Sequence, residues 1–211
     1  MATTASIKLL PEVAAFLSTS PLKGVVGGKD VASSTGETMK SIDPGSGEVL
    51  AEFHLLSPED VDRAVSAAAH TFHKSSWAKL PPNERGAMLH RLADAVEKHK
   101  SIIAQIESLD AGKILSQAHG DVQNFVDTLR YFTNMSLHVQ HRTVLAVSGH
   151  DAWTVRHPWG PCGFIFPWNF PFLLMGWGIS PALAAGNTTV IKPAEDTPLS
   201  AIYLARLARE I

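Results

Sequence analysis

Between residues 57 and 132, apolar residues recur at helical spacing. Ser57-Pro58-Glu59-Asp60 combines an N-cap residue, a proline at the first helical position and two early acidic residues in a capping-box pattern. The apolar residues of 61–72 then recur at i, i+3, i+4 and i+7, which predicts an amphipathic helix. The same spacing predicts three further helices, over 81–96, 102–112 and 122–132.

Short apolar runs bounded by turn residues predict strands on either side of these helices. Residues 1–57 are rich in glycine, proline and serine, and the runs at 22–26 and 48–53 predict short strands or hairpins. The β-prone runs 143–147 and 152–155 flank Ser148-Gly149-His150-Asp151, which predicts a β-hairpin.

The last part of the chain alternates strands and helices. We predict buried strands at 162–166 and 188–191 and helices at 171–185 and from Thr197-Pro198 onward. Gly186 is the predicted first residue after the 171–185 helix, and Pro181 should loosen that helix's last turns. Strand, helix, strand and helix in this order predict a parallel α/β unit with right-handed crossovers.

The amino-acid composition argues against several classes of protein. The 211 residues contain 18 Lys and Arg against 20 Asp and Glu, a formal net charge of -2, so a nucleic-acid partner is not expected. Cys162 is the single cysteine, which excludes a disulfide framework within the chain. Residues 1–10 have no long apolar core, so a secretory signal is not expected there, and we expect a cytoplasmic location.

Residues 158–191 contain no charged side chain and are long enough to cross a bilayer. Five prolines, five glycines and Asn187 interrupt this segment, and a membrane helix broken so often would leave backbone groups unpaired in lipid. We therefore interpret the segment as a buried strand, a turn and a helix, and we expect no membrane partner.

Three linked motifs in this part of the chain carry a family resemblance. They are Pro158-Trp159-Gly160, the segment from Gly163 through Phe166-Pro167-Trp168-Asn169 to Pro171, and the segment from Pro181 through Asn187 and Lys192 to Glu195. These motifs resemble the NAD-dependent aldehyde dehydrogenase superfamily. The resemblance extends over most of the chain, because four other segments occur in the order expected for that superfamily: Asp43-Pro44, the Trp77 region, the Glu107-Ser108-Leu109-Asp110-Ala111-Gly112-Lys113 segment and the 143–156 hairpin.

The resemblance implies a partial aldehyde dehydrogenase fold of the α/β class. Its expected parts are amino-terminal strands and helices of the cofactor domain at 1–142, an oligomerisation hairpin at 143–156, and the first part of a parallel Rossmann-like NAD-binding sheet at 157–211. The family's catalytic cysteine and glutamate are expected beyond residue 211. The chain is thus expected to be an amino-terminal fragment that is inactive alone, from an enzyme that works as a homo-oligomer of full-length chains.

The family oxidises an aldehyde to a carboxylic acid with NAD through a cysteine thiohemiacetal and a hydrolysed thioester. By resemblance, the side-chain amide of Asn169 donates a hydrogen bond to the oxyanion formed when the aldehyde carbon is attacked. The alternative is that Asn169 only caps the helix that starts at Pro171. Ile165, Phe166, Pro167 and Trp168 are expected to line the cofactor cleft beside Asn169, although alone they would be ordinary core residues.

The segment Lys192-Pro193-Ala194-Glu195 follows the second predicted strand, at the end where an open α/β sheet binds its ligands. By resemblance, Lys192 and Glu195 hold the adenosine ribose hydroxyls of the cofactor. A carboxylate repels a 2′-phosphate, so Glu195 favours NAD over NADP. The alternative is a solvated ion pair with no ligand.

Other reactive residues receive a structural interpretation. Cys162 precedes the Asn169 segment and lacks the family's glycine-glutamine-x-cysteine context, so we interpret it as a small buried residue. His70 and His73, like His138 and His141, could share a helix face. Neither pair has a nearby third ligand of the kind zinc requires, so we predict surface histidines and no metal.

Two other hypotheses remain open for the chain by itself. It could be a short non-catalytic protein whose hairpin docks onto intact dehydrogenase subunits, or a nucleotide-binding domain that holds NAD unaided. Whichever hypothesis holds, the rest of the cofactor sheet is expected to be absent, so we expect an exposed strand edge and exposed apolar helix faces that favour aggregation or partner binding.

Overall fold

The structure is a computed structural model that describes residues 8–139 and 142–211. Its helices are α1 (Pro11–Leu17), α2 (Pro58–Lys74), α3 (Pro82–Lys98), α4 (Lys100–Ala111), α5 (Leu115–Ser136), α6 (Pro171–Ala184) and α7 (Leu199–Ala208), with a 3-10 turn at Trp77–Lys79. Its strands are β1 (Gly24–Val26), β2 (Lys29–Val31), β3 (Thr38–Ile42), β4 (Val49–His54), β5 (Arg142–Val147), β6 (His150–Val155), β7 (Pro161–Ile165) and β8 (Thr188–Lys192).

Within the described ranges the strands pair two by two. β1 with β2, β3 with β4, and β5 with β6 are antiparallel, whereas β7 and β8 are parallel and joined by α6. The chain is therefore a mixed α/β structure. No helix of the described residues is long and apolar enough to span a bilayer.

The start of α2 follows the predicted capping box. The Asp60 backbone N–H donates to Ser57 Oγ at 3.3 Å, and the Ser57 backbone N–H donates to Asp60 Oδ2 at 2.9 Å. Two amide groups at the helix start are thus satisfied reciprocally. The apolar stripe behind the cap is only partly covered, since Val61 and Val65 remain exposed.

The main core lies among α3, α4, α5 and α6. The apolar stripes predicted from the sequence supply most of it, and α7 adds residues at one side. Phe125 of α5 and Phe172 of α6 are fully buried, with ring centroids 4.6 Å apart. One core thus joins the helical segment before residue 142 to the strand-helix segment after 157. Its fully buried members include Val96, Ile103, Val122, Phe125, Leu129 and Phe172.

The prediction of strands alone before residue 57 was wrong at Pro11–Leu17, which forms α1. Proline at its first position suits a helix start, and Val13 and Phe16 are buried in a second core with Ile106. The Leu10 backbone N–H also donates to Gln105 Oε1 at 2.7 Å. A helix of 7 residues has little intrinsic stability, so tertiary contacts with α4 determine it.

The prediction that both strands of the parallel pair are buried was also wrong in part. Phe164 packs against the main core, but Ile165 is 82% exposed, and β7 alternates exposed with half-buried residues. β8 is only partly buried along most of its length. The reason is geometric: α6 and α2 both pack against the pair, and Thr188 Oγ1 at the start of β8 donates to the Ala68 carbonyl of α2 at 3.0 Å, but neither helix covers Ile165 at the other end of β7.

The helix between the two strands ends as predicted. Gly186 has φ +94°, a left-handed conformation that glycine adopts without a Cβ penalty. Its N–H donates to the Leu183 carbonyl at 2.9 Å, and the Asn187 N–H donates to the Ala182 carbonyl at 3.0 Å. These two bonds form a Schellman motif, which turns the chain back toward β8.

Candidate functional site

The candidate site lies where the parallel strands β7 and β8 end. Ile165 at the end of β7 is in register with Lys192 at the end of β8, and the Phe166 N–H donates to the Lys192 carbonyl at 3.1 Å. The two turns that follow therefore leave the same edge of the pair. We call residues 166–170, before α6, the first turn and residues 193–198, before α7, the second turn.

Asn169 lies in the first turn, one residue before the N-cap of α6. That N-cap is Phe170, and no side chain caps the helix, so the alternative interpretation of Asn169 as an N-cap was wrong. The Asn169 side chain is exposed at the strand edge. Its amide N–H groups are thus exposed to solvent beside the ends of β7 and β8.

The other predicted residues of the first turn divide between surface and interior. Ile165, Pro167 and Trp168 are exposed at the edge, whereas Phe166 turns inward and stacks on Phe164 with ring centroids 5.7 Å apart. The outward residues provide an apolar surface beside Asn169, and Phe166 anchors that surface from below.

The second turn presents the predicted lysine and glutamate together. Lys192 Nζ lies 2.7 Å from Glu195 Oε2, and the two side chains are 59% and 54% exposed. The hydrogen bond from Lys192 lowers the pKa of Glu195, which is therefore a carboxylate at neutral pH. Pro193 is half-buried and Ala194 is buried, so the exposed side chains here are those of Lys192 at the end of β8 and of Glu195 and Asp196 in the turn.

Sequence reasoning missed the residues that hold both turns from below. Glu107 is fully buried on α4, its Oε2 lies 3.1 Å from Lys113 Nζ, and it accepts a 3.4 Å hydrogen bond from the Phe172 backbone N–H. Burial raises the pKa of Glu107 above its usual range. Lys113 Nζ also pairs with Asp121 at 2.8 Å.

Asp110, one helical turn after Glu107, is likewise buried. Its Oδ1 accepts from the Ser41 hydroxyl at 2.6 Å and its Oδ2 from the Leu199 backbone N–H at 2.9 Å. Burial raises the pKa of Asp110 to about 7. The available sequence signal was two acidic residues, three apart, inside a helix that otherwise buries its apolar stripe.

The remaining reactive residues stay apart from the two turns. Cys162 is half-buried in β7, with Sγ 3.6 Å from the Gly160 carbonyl. His70, His73 and His138 are exposed, and His141 lies outside the described residues. Residues 8–139 and 142–211 contain no group of three or more His, Cys, Asp or Glu side chains that could hold a metal ion.

An open groove of about 440 Å³ runs between α5 and α6, on the outer side of the helix that follows the first turn. Trp177 forms part of its wall, and its indole N–H donates to Asn124 Oδ1 at 2.8 Å. The groove is lined by Asp127, Thr128, Tyr131, Phe132 and Trp177.

Comparison with known proteins identifies the family. The model of the aldehyde dehydrogenase family matches residues 31–211. The chain is 40% identical over 190 residues to an aldehyde dehydrogenase of Aspergillus niger, with 90% of this chain and 38% of that protein covered. It is 38% identical over 208 residues to human retinal dehydrogenase 2, with 98% and 40% covered. The chain belongs to the aldehyde dehydrogenase family.

Solved structures agree with this assignment. An NAD+ complex of aldehyde dehydrogenase from Bacillus cereus matches with a TM-score of 0.92 at 36% identity, covering 96% of this chain and 41% of that one. A betaine aldehyde dehydrogenase from Staphylococcus aureus in complex with NAD+ matches with a TM-score of 0.89 at 29% identity, covering 94% and 40%. The chain thus spans well under half the length of the relatives that it matches.

Proposed function

We propose that this chain supplies part of the NAD site and the oxyanion-stabilising amide of an enzyme that oxidises an aldehyde to a carboxylic acid. The observation that carries this proposal is the register of Ile165 with Lys192, because it gives the Asn169 turn and the Glu195 turn a common edge. Membership of the aldehyde dehydrogenase family indicates that the reaction at this edge would be the oxidation of an aldehyde with NAD. The catalytic cysteine and general base would come from elsewhere in the complete enzyme.

The residues at this edge fit NAD. Lys192 and Glu195 form an exposed pair that can donate to and accept from the two ribose hydroxyls, and Glu195 is ionised. A carboxylate accepts from a free 2′-hydroxyl and repels a 2′-phosphate. Ile165 and Trp168 offer exposed apolar surface for a ring system on the other turn. NAD, when bound, would accept a hydride from the substrate carbon.

Asn169 would act on the reacting oxygen. Attack of a nucleophile on an aldehyde carbon places negative charge on the former carbonyl oxygen, and an amide N–H held in advance near that position stabilises it. Asn169 is exposed and does not cap α6, so its amide is free to donate there.

The role of Asn169 is tested by Asn169→Ala in the complete natural chain. We expect kcat for NAD-dependent aldehyde oxidation to fall roughly 100- to 1,000-fold with the NAD dissociation constant little changed. Asn134→Ala is the matched control, because Asn134 is an exposed asparagine on α5 that hydrogen-bonds to His90 away from the turns. An Asn169→Ala enzyme with unaltered kcat would remove the oxyanion role.

The cofactor assignment is tested by Glu195→Gln. We expect weaker NAD binding and a gain in NADP binding relative to NAD, because the repulsion of a 2′-phosphate is removed. Asp196→Asn provides the control, since Asp196 is the neighbouring exposed acid. Tighter binding of NADP than of NAD by the unaltered protein would contradict the assignment.

The β5–β6 hairpin favours a second role, association between dehydrogenase chains. Val144 is 77% exposed, and Leu145, Val147, Trp153 and Val155 are exposed beside it. Apolar strands left open to solvent are typical of an interface. The proposal includes both a homo-oligomer of full-length chains and the alternative that a short, non-catalytic form docks onto intact subunits.

Sedimentation velocity of the complete chain tests the hairpin. Val144→Asp is expected to shift the sedimentation coefficient toward the monomer value, because it places a charge in the buried part of the interface. Val61→Asp is the control, an exposed valine on α2. An unchanged oligomer in Val144→Asp would exclude the hairpin. Co-purification of the 211-residue chain with a full-length chain would favour the docking alternative.

A further inference from the structure

A group of buried charged residues lies at the end of α4, beneath both turns of the candidate site. We call Glu107, Asp110 and Lys113 the α4 charge cluster. The relative exposure of Glu107 is 0% and that of Asp110 is 2%. Ionisable groups are seldom buried so fully unless each one is paired or hydrogen-bonded. The partners of these three residues therefore indicate what they do.

Lys113 contacts the first turn, and Glu107 contacts the start of the α6 helix that follows it. Lys113 Nζ lies 5.0 Å from the ring centroid of Phe170, the residue directly after Asn169. Glu107 accepts a hydrogen bond from the Phe172 N–H in the first turn of α6. The segment that carries Asn169 is thus restrained by a cation–π contact and by a carboxylate at a helix start, where negative charge is favoured.

Asp110 holds the second turn in the corresponding way. Its Oδ2 accepts from the Leu199 N–H, the first helical residue of α7, only four residues after Glu195. Its Oδ1 is held by Ser41 on β3, so the carboxylate orientation is determined from the other side as well. Glu107 and Asp110 lie on successive turns of α4. The starts of α6 and α7 are therefore both hydrogen-bonded to the same helix.

The far end of α6 is held by a charge of opposite sign. The buried guanidinium of Arg85 donates to the Ala184 carbonyl through Nε at 3.1 Å and Nη2 at 3.0 Å. A cation suits the carboxyl end of a helix as an anion suits its start. With Glu107 at one end and Arg85 at the other, α6 has little freedom to slide along its axis.

We propose that Glu107 and Asp110 are positioning residues that set the distance between the Asn169 turn and the Lys192–Glu195 turn by anchoring the starts of α6 and α7 to α4. The expected effect of this anchoring on catalysis rests on the proposed function, whereas the anchoring itself does not. Each carboxylate acts through a helix start, so each should affect a different step. Glu107 should affect the oxyanion amide, and Asp110 should affect cofactor affinity.

Amide hydrogen exchange tests the anchoring without reference to activity. In the complete natural chain, Glu107→Gln is expected to speed exchange of the Phe172 amide on the order of tenfold and to leave the Leu199 amide unchanged. Asp110→Asn is expected to do the reverse. Asp121→Asn is the matched control, because Asp121 is a buried carboxylate that pairs with Lys113 but contacts neither helix start. Equal acceleration at both amides, or at neither, would overturn the proposal.

Steady-state kinetics test the consequence for the site. Glu107→Gln is expected to lower kcat on the order of tenfold with little change in KM for NAD, and Asp110→Asn to raise KM for NAD with a smaller effect on kcat. A merely structural role would lower kcat and raise KM for NAD together in both variants, which would overturn the proposal. If the unaltered complete chain bound no NAD, the proposed function would fail, and the exchange measurements would still decide whether the carboxylates anchor the helices.

Discussion

Two regions of the molecule use similar residues for different purposes. In the helical region, α3 to α6, many large apolar side chains are fully buried in one core, although Leu115, Tyr131 and Trp177 are exposed. In the strand region, β5 to β8 with its turns, Phe164 and Ile191 pack against that core, but most residues of the same types are exposed, up to 93% for Trp159. Apolar sequence alone therefore does not distinguish a core from a surface that binds. What differs is whether another element packs against it.

Charges show the same contrast. The Glu107–Lys113 pair is buried in the helical region, whereas the Lys192–Glu195 pair is more than half exposed in the strand region. A buried pair stabilises a position strongly when both partners are present and costs much when one is lost. An exposed pair contributes little to stability and remains available to a ligand. The helical region thus supports the candidate site with buried charges, whereas the strand region carries the charged side chains that remain exposed there.

The largest expected difference between the regions is in side-chain truncation. Phe125→Ala removes a fully buried ring packed on Phe172, so the free energy of unfolding should fall by about 3–5 kcal/mol. Ile165→Ala at the strand edge should change it by less than about 0.5 kcal/mol. Urea denaturation of both variants measures the difference, and similar losses would mean that the strand edge is covered in solution.

Two helical glycines differ in how closely other residues surround them, which allows a second comparison of stability. An added Cβ at Gly176 on α6 would lie 2.8 Å from Phe125 Cδ2 and 3.1 Å from its Cα, whereas at Gly120 on α5 it would meet nothing within 4 Å. Gly176→Ala should lower stability by about 1–3 kcal/mol through overpacking. Gly120→Ala should raise it by about 0.5–1 kcal/mol because alanine favours a helix. Thermal unfolding of both proteins checks the opposite signs.

The buried carboxylate of Asp110 predicts a pH dependence. Folding raises the pKa of Asp110 from its ordinary 3.8 to about 7, so between these values the folded state binds more protons than the unfolded state. Its contribution to stability is thus present below about pH 4 and is lost as the pH rises toward 7, at a rate of at most about 1.4 kcal/mol per pH unit.

Comparison with Asp110→Asn isolates this effect. The difference in free energy of unfolding between the unaltered protein and the variant should fall steadily over that pH window. Denaturation at several pH values measures it. A difference that is flat or rising with pH would show that Asp110 is ionised throughout, with its pKa near or below the ordinary value.

A small stability effect is also expected for the exposed Lys192–Glu195 pair. Lys192→Met should change the free energy of unfolding by less than about 1 kcal/mol, because solvent screens the interaction with Glu195. The same variant should weaken NAD binding in the complete chain, measured by calorimetry. A large loss of stability with unchanged NAD binding would contradict the interpretation that the helical region supports the candidate site and the strand region binds the cofactor.

The sequence by itself determined the features that local chemistry controls. The capping box at Ser57 and Asp60, the glycine at the end of α6 and the apolar stripes of α3 to α5 could all be predicted, because each depends on residues within a few positions of one another. The order of strands and helices placed Asn169 and Glu195 in two turns, each following a strand.

Tertiary structure alone decided the features that depend on distant residues. Helix α1 exists because Val13 and Phe16 pack near Ile106, and Ile165 of β7 is exposed because no element among the described residues packs over its side chain. Glu107 and Asp110 could not be recognised as supports of the site, since their partners Phe172 and Leu199 lie 65 and 89 positions away. Burial and long-range hydrogen bonds follow from which surfaces meet, and a pattern along the chain does not contain that information.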